Sequence, residues 1–496
     1  MKKLRNYFLN HQYLTLIIMS LVMGLLTIFI ASSASSFLYN HFPVVRYVND
    51  SNTFYYIGRQ IAAGKTPYLE IFDHKGLYLF YYAALGNLLG GKIGFFFLQS
   101  LTMGATFFLT ILSMREFKIH KFIIFSSTLL LGACYCFSMQ SPGDFELQLP
   151  FITLMIYFYA KGLMREDNKS FLLGNVFAGV SAGVAINVRA SDAMVPFAFV
   201  IAFLVISIKN KKIKGLFINA ALCLASLILI CIPPLIHSIA GGFTAEMYQS
   251  IILDNFRYVG SSSDRYDSSS LLSRLAIVGI MIVYFLFAII NRKKMVKDEF
   301  LIFMVGGGVL FVLQLIIAFY IHYLFIMFTF LFIFISRSFS LFFTEEKKWC
   351  ISFKIVSLLV MLGSMVFFPT WYYSSIEKFT NKVITLIEEN ISLEERQSGH
   401  VLCLQTSSAI YLNSNINNGY PDFCCQYNHV NLSKYYTHEK LLDYLKSGEC
   451  HYVISWENSD KDDRDIIMSW FNKEEGQTYF TKIVNDGIDI YRYTFL

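Results

Sequence analysis

The chain has 496 residues, of which 55% are hydrophobic and only 15% are charged. Soluble domains usually carry about 25% charged residues, so this composition excludes a water-soluble enzyme and indicates a polytopic membrane protein. The formal net charge of +6 comes from lysines and arginines in the loops between apolar runs. It therefore reports membrane topology rather than nucleic-acid binding.

Apolar runs long enough to cross a bilayer, about 17–25 residues, recur along most of the chain. The first follows the basic start MKKLRNYFLN and is interpreted as a retained signal anchor, because many further spans follow it. Basic clusters such as REFKIHK and KNKKIK are assigned to the cytoplasmic side, which turns the remaining loops outward. The predicted spans are eleven, at 14–31, 93–114, 122–139, 147–162, 171–187, 193–208, 216–237, 275–290, 300–319, 321–336 and 355–368.

One apolar run is excluded from this count. The stretch LYLFYYAALGNLLGG, which begins at Leu77, is about 14 residues long before its two glycines, which is short for a span. If it crossed the membrane, the REFKIHK cluster would face outward, against the positive-inside rule. We therefore predict an interfacial or re-entrant helix here, within an outward loop that covers residues 32–92.

The composition changes after Phe368. Strand-like pieces (HVLCLQ, HYVISW, DIYRYTF) alternate with helix-like ones (HEKLLDYLKSG, DRDIIMSWFNKEE). This pattern predicts two domains, a transmembrane domain at 1–370 and a small extracytoplasmic α/β domain at 371–496. Four of the nine cysteines lie in the second domain, and no spacing fixes a disulfide pairing among them.

The first outward loop carries the chemistry. Its sequence VVRYVNDSNTFYYIGRQIAAGKTPYLEIFDHKG places Asp50 soon after the first span, followed by a helix-like stretch, a Gly/Pro turn and the motif DHKG. Arg59, His74 and Lys75 could neutralise a phosphate, and Asp50 could deprotonate an acceptor hydroxyl. The simpler alternative is that Asp50 and Asp73 are solvated loop acids, or that Asp73 caps the following helix.

This loop resembles the first extracytoplasmic loop of bacterial GT-C glycosyltransferases, the multi-span enzymes related to dolichyl-phosphate-mannose protein mannosyltransferases and the aminoarabinose transferase of lipid A. The resemblance rests on DSNTFYYIGRQIAAGKTPY and FDHKG, is clearest over residues 40–165, and implies a GT-C-like fold. It implies that Asp50 is the catalytic base or acceptor-binding carboxylate, and that His74 and Lys75 belong to the phosphate-binding element. In the family the helix after that element lies along the membrane.

Other candidates lie further along the chain. The resemblance implies a second acid at Glu146, or else Asp144, which would orient the phosphate or bind a divalent cation (Mg or Mn); the alternative is a helix cap. Arg189 stands at a span end, either as a phosphate ligand or in an i, i+3 ion pair with Asp192. Two further positions resemble the family's His-Tyr element near the donor phosphate, with an aromatic belt as the alternative, namely His322 and Tyr323.

The sequence therefore predicts a glycosyltransferase of the bacterial plasma membrane, with its N-terminus cytoplasmic. It would move a sugar, with inversion favoured by the resemblance, from a polyprenyl-phosphate donor to a cell-envelope glycan such as a wall polysaccharide or teichoic acid. The alternatives are a lipid-linked glycan flippase or transporter and a polysaccharide polymerase. The sequence contains no P-loop, which argues against an ATP-driven transporter built into this chain.

Overall fold

The structure is a computed structural model, and it describes residues 12–35, 50–138, 143–255, 268–296, 298–317, 325–342, 352, 354–363, 382–404, 408–423, 436–456 and 466–495. Most of these residues are helical. The chain forms two compact units. The first joins Met1–Ala31, Phe96–Ile236 and Ser263–Phe368, and the second joins Ser32–Phe95, His237–Ser262 and Pro369–Leu496.

Helices, most of them long, make up most of the described part of the first two thirds of the chain. In chain order they are α1 (Gln12–Ser35), α2 (Asp50–Ala62), α3 (Leu77–Leu88), α4 (Gly91–Glu116), α5 (Lys121–Ser138), α6 (Phe145–Arg165), α7 (Asn168–Ile186), α8 (Met194–Lys209), α9 (Ile213–Ala240), α10 (Thr244–Tyr248), α11 (Ser268–Asn291), α12 (Glu299–Leu301), α13 (Gly307–Ile317) and α14 (Phe325–Phe342). Two π-helical stretches follow α10 and α12, at Gln249–Asp254 and Ile302–Gly306.

Among the described residues, seven helices are long and apolar enough to cross a membrane, at Gln12–Ala31, Gly91–Glu116, Phe145–Arg165, Asn168–Ile186, Ala190–Lys209, Ile213–Ala240 and Glu299–Ile316. Shorter apolar helices lie at Lys121–Cys136, Phe325–Leu341 and Lys354–Gly363, the last of which is α15. The described residues of the eleven predicted spans are almost all helical, including 275–290, which lies in α11. The polytopic helical class is therefore confirmed, while the count of eleven stays a prediction.

In the first unit, α6 and α7 form an antiparallel hairpin. Glu166 ends α6 in the left-handed conformation at φ 54°, and the Asp167 side chain caps α7 by accepting from the Lys169 N–H. Gly174 lets the helices approach closely, because a Cβ there would lie 2.4 Å from a ring carbon of Tyr159. The start of α6 and the segment that follows α7 consequently lie at the same end of this hairpin.

The C-terminal part contains a sheet of four strands, β1 (Val401–Leu404), β2 (Tyr452–Trp456), β3 (Phe480–Asn485) and β4 (Ile488–Tyr493). Their order in the sheet is β1-β2-β4-β3. β1 and β2 are parallel, and the other two pairs are antiparallel. Short helices accompany it: α16 (382–390), α17 (Leu393–Ser398), α18 (Ser408–Asn413), α19 (His438–Lys446), α20 (Ile466–Trp470) and α21 (Glu474–Tyr479).

This sheet confirms the predicted α/β character of the C-terminal part. Three of its strands are the three predicted pieces. The fourth, β3, was not predicted, because this edge strand leaves most of its side chains exposed and its sequence FTKIVN lacks a clear apolar alternation. Residues 369–496 share one compact unit with 32–95 and 237–262. The division at 370/371 stays a prediction.

In the second unit, α2 and α3 pack together through Gly58. A Cβ at this position would lie 2.5 Å from the backbone of Ala83 and Ala84, so only glycine permits the close crossing. α3 is 12 residues long, about 18 Å, and is too short to cross a bilayer. The predicted short helix is therefore present, and its Phe80 packs against Tyr68 of the preceding turn.

Candidate functional site

The segment between α2 and α3 is a tight turn that starts at Pro67. The Tyr68 N–H donates to the Ile71 carbonyl (2.8 Å), and the Glu70 N–H donates to the Thr66 carbonyl (3.0 Å). Tyr68 adopts φ 64°, a left-handed conformation that costs a bulky residue free energy. The surroundings must therefore fix this residue in place.

Tyr68 is fully buried, and its hydroxyl donates to the Lys75 carbonyl oxygen at 2.7 Å. Its ring packs against Phe80 of α3 and against Phe243. The Tyr436 hydroxyl donates to the Tyr68 carbonyl. Burial raises the pKa of Tyr68 well above its ordinary value, and the neighbouring Asp73 charge acts in the same direction. The hydroxyl therefore keeps its proton and remains a donor to the backbone of Lys75.

Asp73, His74 and Lys75 form one connected group, here called the DHK turn. The Lys75 ammonium donates to His74 Nε2 at 2.8 Å, which leaves the ring proton on Nδ1. His74 Nδ1 lies 3.6 Å from Asp73 Oδ1, and the same oxygen accepts the Lys75 backbone N–H at 3.0 Å. Asp73 is buried, whereas His74 and Lys75 are partly exposed. The buried Asp73 carboxylate thus contacts both the His74 ring and the Lys75 backbone and orients these two residues.

The open question about Asp73 has a structural answer. The N-cap of α3 is Gly76, and the Asp73 carboxylate accepts the Lys75 N–H, which precedes the helix. Asp73 is therefore not a helix cap, and its burial also excludes a solvated loop acid. Within the described residues, no carboxylate forms an ion pair with the Lys75 ammonium, which has two further N–H donors beyond the one given to His74.

Two contacts from distant segments hold the DHK turn in place. The Asn255 side-chain amide donates to the His74 carbonyl at 2.9 Å, and the Phe72 N–H donates to the Pro421 carbonyl at 2.8 Å. Asn255 directly follows the π-helical stretch Gln249–Asp254. The turn is therefore fixed by the first loop, the 237–262 segment and the C-terminal part together.

α2 places the predicted base. Asp50 is its first residue, and Phe54 lies four residues later, about 6 Å along the axis. The Lys75 ammonium lies 5.9 Å from the centre of the Phe54 ring. The Arg59 guanidinium, further along α2, stacks 5.1 Å over Tyr56. Lys75 and Arg59 therefore contact different rings of α2, and a phosphate-binding role for either one stays a prediction.

In the first unit, Arg189 is buried between two carboxylates. It donates to both oxygens of Asp192, at 2.9 and 2.7 Å, and lies 3.4 Å from Asp144. Its guanidinium also stacks 4.1 Å over the Phe145 ring. The Gln148 amide donates to Asp192 at 2.8 Å. The i, i+3 ion pair offered by the sequence is therefore present, and the buried charge of Arg189 is compensated.

Glu146 is fully buried at the start of α6. Its Oε1 accepts from the Gln99 amide and its Oε2 from the Gly143 N–H, both at 2.8 Å. Both oxygens thus have neutral donors, as in a helix-end contact. Within the described residues, no group of three His, Cys, Asp or Glu side chains could hold a metal ion. Metal binding by Glu146 therefore stays a prediction from the sequence.

His322 and Tyr323 lie outside the described residues. Of the other predicted positions, Asp73, His74 and Lys75 come together in the second unit, and Asp144 and Arg189 come together in the first. Sequence reasoning missed Tyr68 and Asn255, which hold the backbone of the DHK turn. The Gly/Pro turn signal located Tyr68 without revealing the target of its hydroxyl.

Comparison with known proteins agrees with the proposed resemblance. Residues 74–237 match the family of dolichyl-phosphate-mannose-protein mannosyltransferases, a segment that begins at His74 of the DHK turn and covers less than half of the chain. No curated protein matches the chain in sequence at a significant level. The oligosaccharyltransferase of Archaeoglobus fulgidus, solved with zinc and sulfate, is 12% identical, with a TM-score of 0.47 over 92% of this chain and 71% of that one. The family match over residues 74–237 confirms the resemblance to this class of membrane glycosyltransferases.

Proposed function

We propose that this glycosyltransferase moves one sugar from a polyprenyl-phosphate donor to an extracytoplasmic glycan of the bacterial cell envelope, such as a wall polysaccharide or teichoic acid. A lipid-phosphate donor suits a site on the extracytoplasmic side of the membrane, because nucleotide sugars are not available there. In this proposal the N-terminus is cytoplasmic, and the first loop and the C-terminal part lie outside.

One observation carries the proposal. The Lys75 ammonium lies 5.9 Å from the centre of the Phe54 ring, and Phe54 comes four residues after Asp50, the first residue of α2. In this proposal Asp50 is the general base and Lys75 is the phosphate-binding cation, the two groups that sugar transfer from a lipid phosphate requires. A transporter would need cations for the phosphate, but it would have no use for a base beside them.

The chemistry follows from these positions. The bond between the anomeric carbon and the phosphate oxygen breaks, and polyprenyl phosphate leaves with the electron pair. The acceptor hydroxyl forms a new bond to the anomeric carbon and gives its proton to Asp50. Lys75, held by His74, stabilises the negative charge that develops on the leaving phosphate. Phosphate binding by Arg189 stays a prediction from the sequence, since its described guanidinium is paired with Asp144 and Asp192.

Transfer and transport are separated by a single assay. Purified protein in liposomes receives polyprenyl-phosphate carrying a radiolabelled sugar, together with a cell-envelope acceptor. Label that passes from the organic-extractable lipid to the polymer supports the proposal. Label that crosses the bilayer and stays on the lipid would favour a flippase, and label that lengthens an existing lipid-linked chain would favour a polymerase.

A further inference from the structure

The first unit contains a groove that the transfer reaction does not use. It has a volume of about 900 Å³ and lies between α1, the end of α4 and the start of α5. α1 and α4 touch at Gly24 and Gly104, because a Cβ on Gly24 would lie 2.4 Å from the Gly104 nitrogen. Residues of α1 between Gln12 and Met23 line one side of the groove, and Arg115, near the end of α4, lines the other side. The two helices thus contact each other at the glycines and separate toward Gln12 of α1 and Arg115 of α4, where the groove lies.

The walls of this groove are apolar along most of their length. Met19 and Met23 line it from α1, and Phe125 and Leu129 line it from α5. Met19 is 44% exposed and Phe125 is 38% exposed in the described structure. From Gln12 to Met23 the groove follows α1 over about 16 Å, which is the length of an extended acyl chain segment.

One end of the groove is basic. Arg115 and Lys121 line it there, and both are exposed. Arg115 stacks 5.7 Å over the Tyr13 ring. The neighbouring acid, Glu116, is already paired with Arg165 through two hydrogen bonds of 2.7 and 2.6 Å. Within the part of the chain that the structure describes, neither Arg115 nor Lys121 forms an ion pair with a carboxylate.

We infer that this groove binds one anionic phospholipid, with an acyl chain between α1 and α5 and the headgroup phosphate at Arg115 and Lys121. Two uncompensated cations at the mouth of an apolar groove match the charge and shape of such a lipid. The N-terminal segment of the chain is a poorer occupant, because Lys2, Lys3 and Arg5 carry the same charge as the groove mouth. This binding is independent of the DHK turn and of sugar transfer.

The test is native mass spectrometry of the full chain, titrated in detergent with phosphatidylglycerol or with phosphatidylcholine. We expect one saturable phosphatidylglycerol that glycerol phosphate does not displace, and weaker binding of phosphatidylcholine. The double variant Arg115→Gln/Lys121→Gln should bind phosphatidylglycerol roughly 30-fold more weakly, since each cation near an anionic headgroup contributes about 1 kcal/mol.

Three further variants make the result decisive. Met19→Trp should fill the apolar part of the groove and weaken phosphatidylglycerol binding without any change in charge. Arg115→Lys should keep the preference for the anionic lipid, and Lys118→Gln, an exposed neighbour outside the groove, should leave it unchanged. Equal binding of both lipids by the unmodified protein, undiminished binding by the double variant or by Met19→Trp, or displacement by glycerol phosphate would overturn the inference.

Discussion

The ammonium group of Lys75 lies 5.9 Å from the centre of the Phe54 ring, one helical turn beyond Asp50. Lys75 reaches this position because its side chain donates to His74 and its backbone is held by Tyr68 and Asp73. These contacts hold the Lys75 cation against α2, at a residue four positions after Asp50.

Replacing Lys75 by glutamine should remove the charge that stabilises the leaving phosphate. We expect kcat for sugar transfer to fall by about 10²–10³-fold, with a smaller change in KM, because the interaction is strongest in the transition state. Lys75→Arg should retain part of the rate. Lys473→Gln, an exposed lysine of the same unit, serves as the control and should keep full activity. An unchanged kcat in Lys75→Gln would remove Lys75 from the mechanism.

Replacing Tyr68 by phenylalanine should release the backbone of the DHK turn. The Lys75 carbonyl would lose its donor, at a cost of about 1–3 kcal/mol if it stays buried. We expect a lower melting temperature together with a loss of kcat that exceeds the loss of folded protein. Tyr248→Phe, at a tyrosine that is 56% exposed in the same unit, should change neither quantity. Wild-type kcat in folded Tyr68→Phe would show that this hydroxyl does not position Lys75.

Two substitutions of Asp73 separate its hydrogen bond from its charge. Asp73→Asn keeps an oxygen for the Lys75 N–H but removes the negative charge beside His74, so we expect about tenfold slower transfer with little change in stability. Asp73→Ala removes both and should also lower the melting temperature. Rates and melting curves of the two variants check this order. Equal behaviour of both variants would mean that the charge has no separate effect.

The C-terminal part should stabilise the first loop through Asn418. The Lys65 ammonium donates to the Asn418 carbonyl at 2.8 Å and to its side-chain oxygen at 2.9 Å. A double-mutant cycle with Lys65→Met and Asn418→Ala should give a coupling of about 1 kcal/mol in chemical unfolding. The same cycle with Lys65→Met and Asn472→Ala should be additive. Additivity in the first cycle would show that this contact does not stabilise the protein.

The sequence predicted the elements better than their contacts. Apolar length located the helices, and Gly-Gly after a short run identified α3 as too short to span, because hydropathy and helix rise are local properties. The α/β character of the C-terminal part was also predictable from short alternating segments. β3 was not, since an exposed edge strand needs few apolar residues.

Site prediction reached its limit at long-range contacts. The motif DHKG identified His74 and Lys75 as candidates, but it could not show that Asp73 lies beneath them or that Asn255 holds the turn, since that contact joins residues 181 positions apart. The sequence also grouped Arg59 with Lys75; in the structure Arg59 stacks over Tyr56 and Lys75 lies at Phe54, and the role of Arg59 stays a prediction.

Asp50 is proposed as the general base of sugar transfer. The initial rate of transfer by Asp50→Asn tests this role most directly. The variant keeps the size of the side chain but cannot accept the acceptor proton, so the rate should fall by about 10²–10⁴-fold. Binding of the polyprenyl-phosphate sugar should persist, and Asp443→Asn, an exposed acid of the same unit, should be fully active. Transfer by Asp50→Asn at the wild-type rate would show that Asp50 is not the general base.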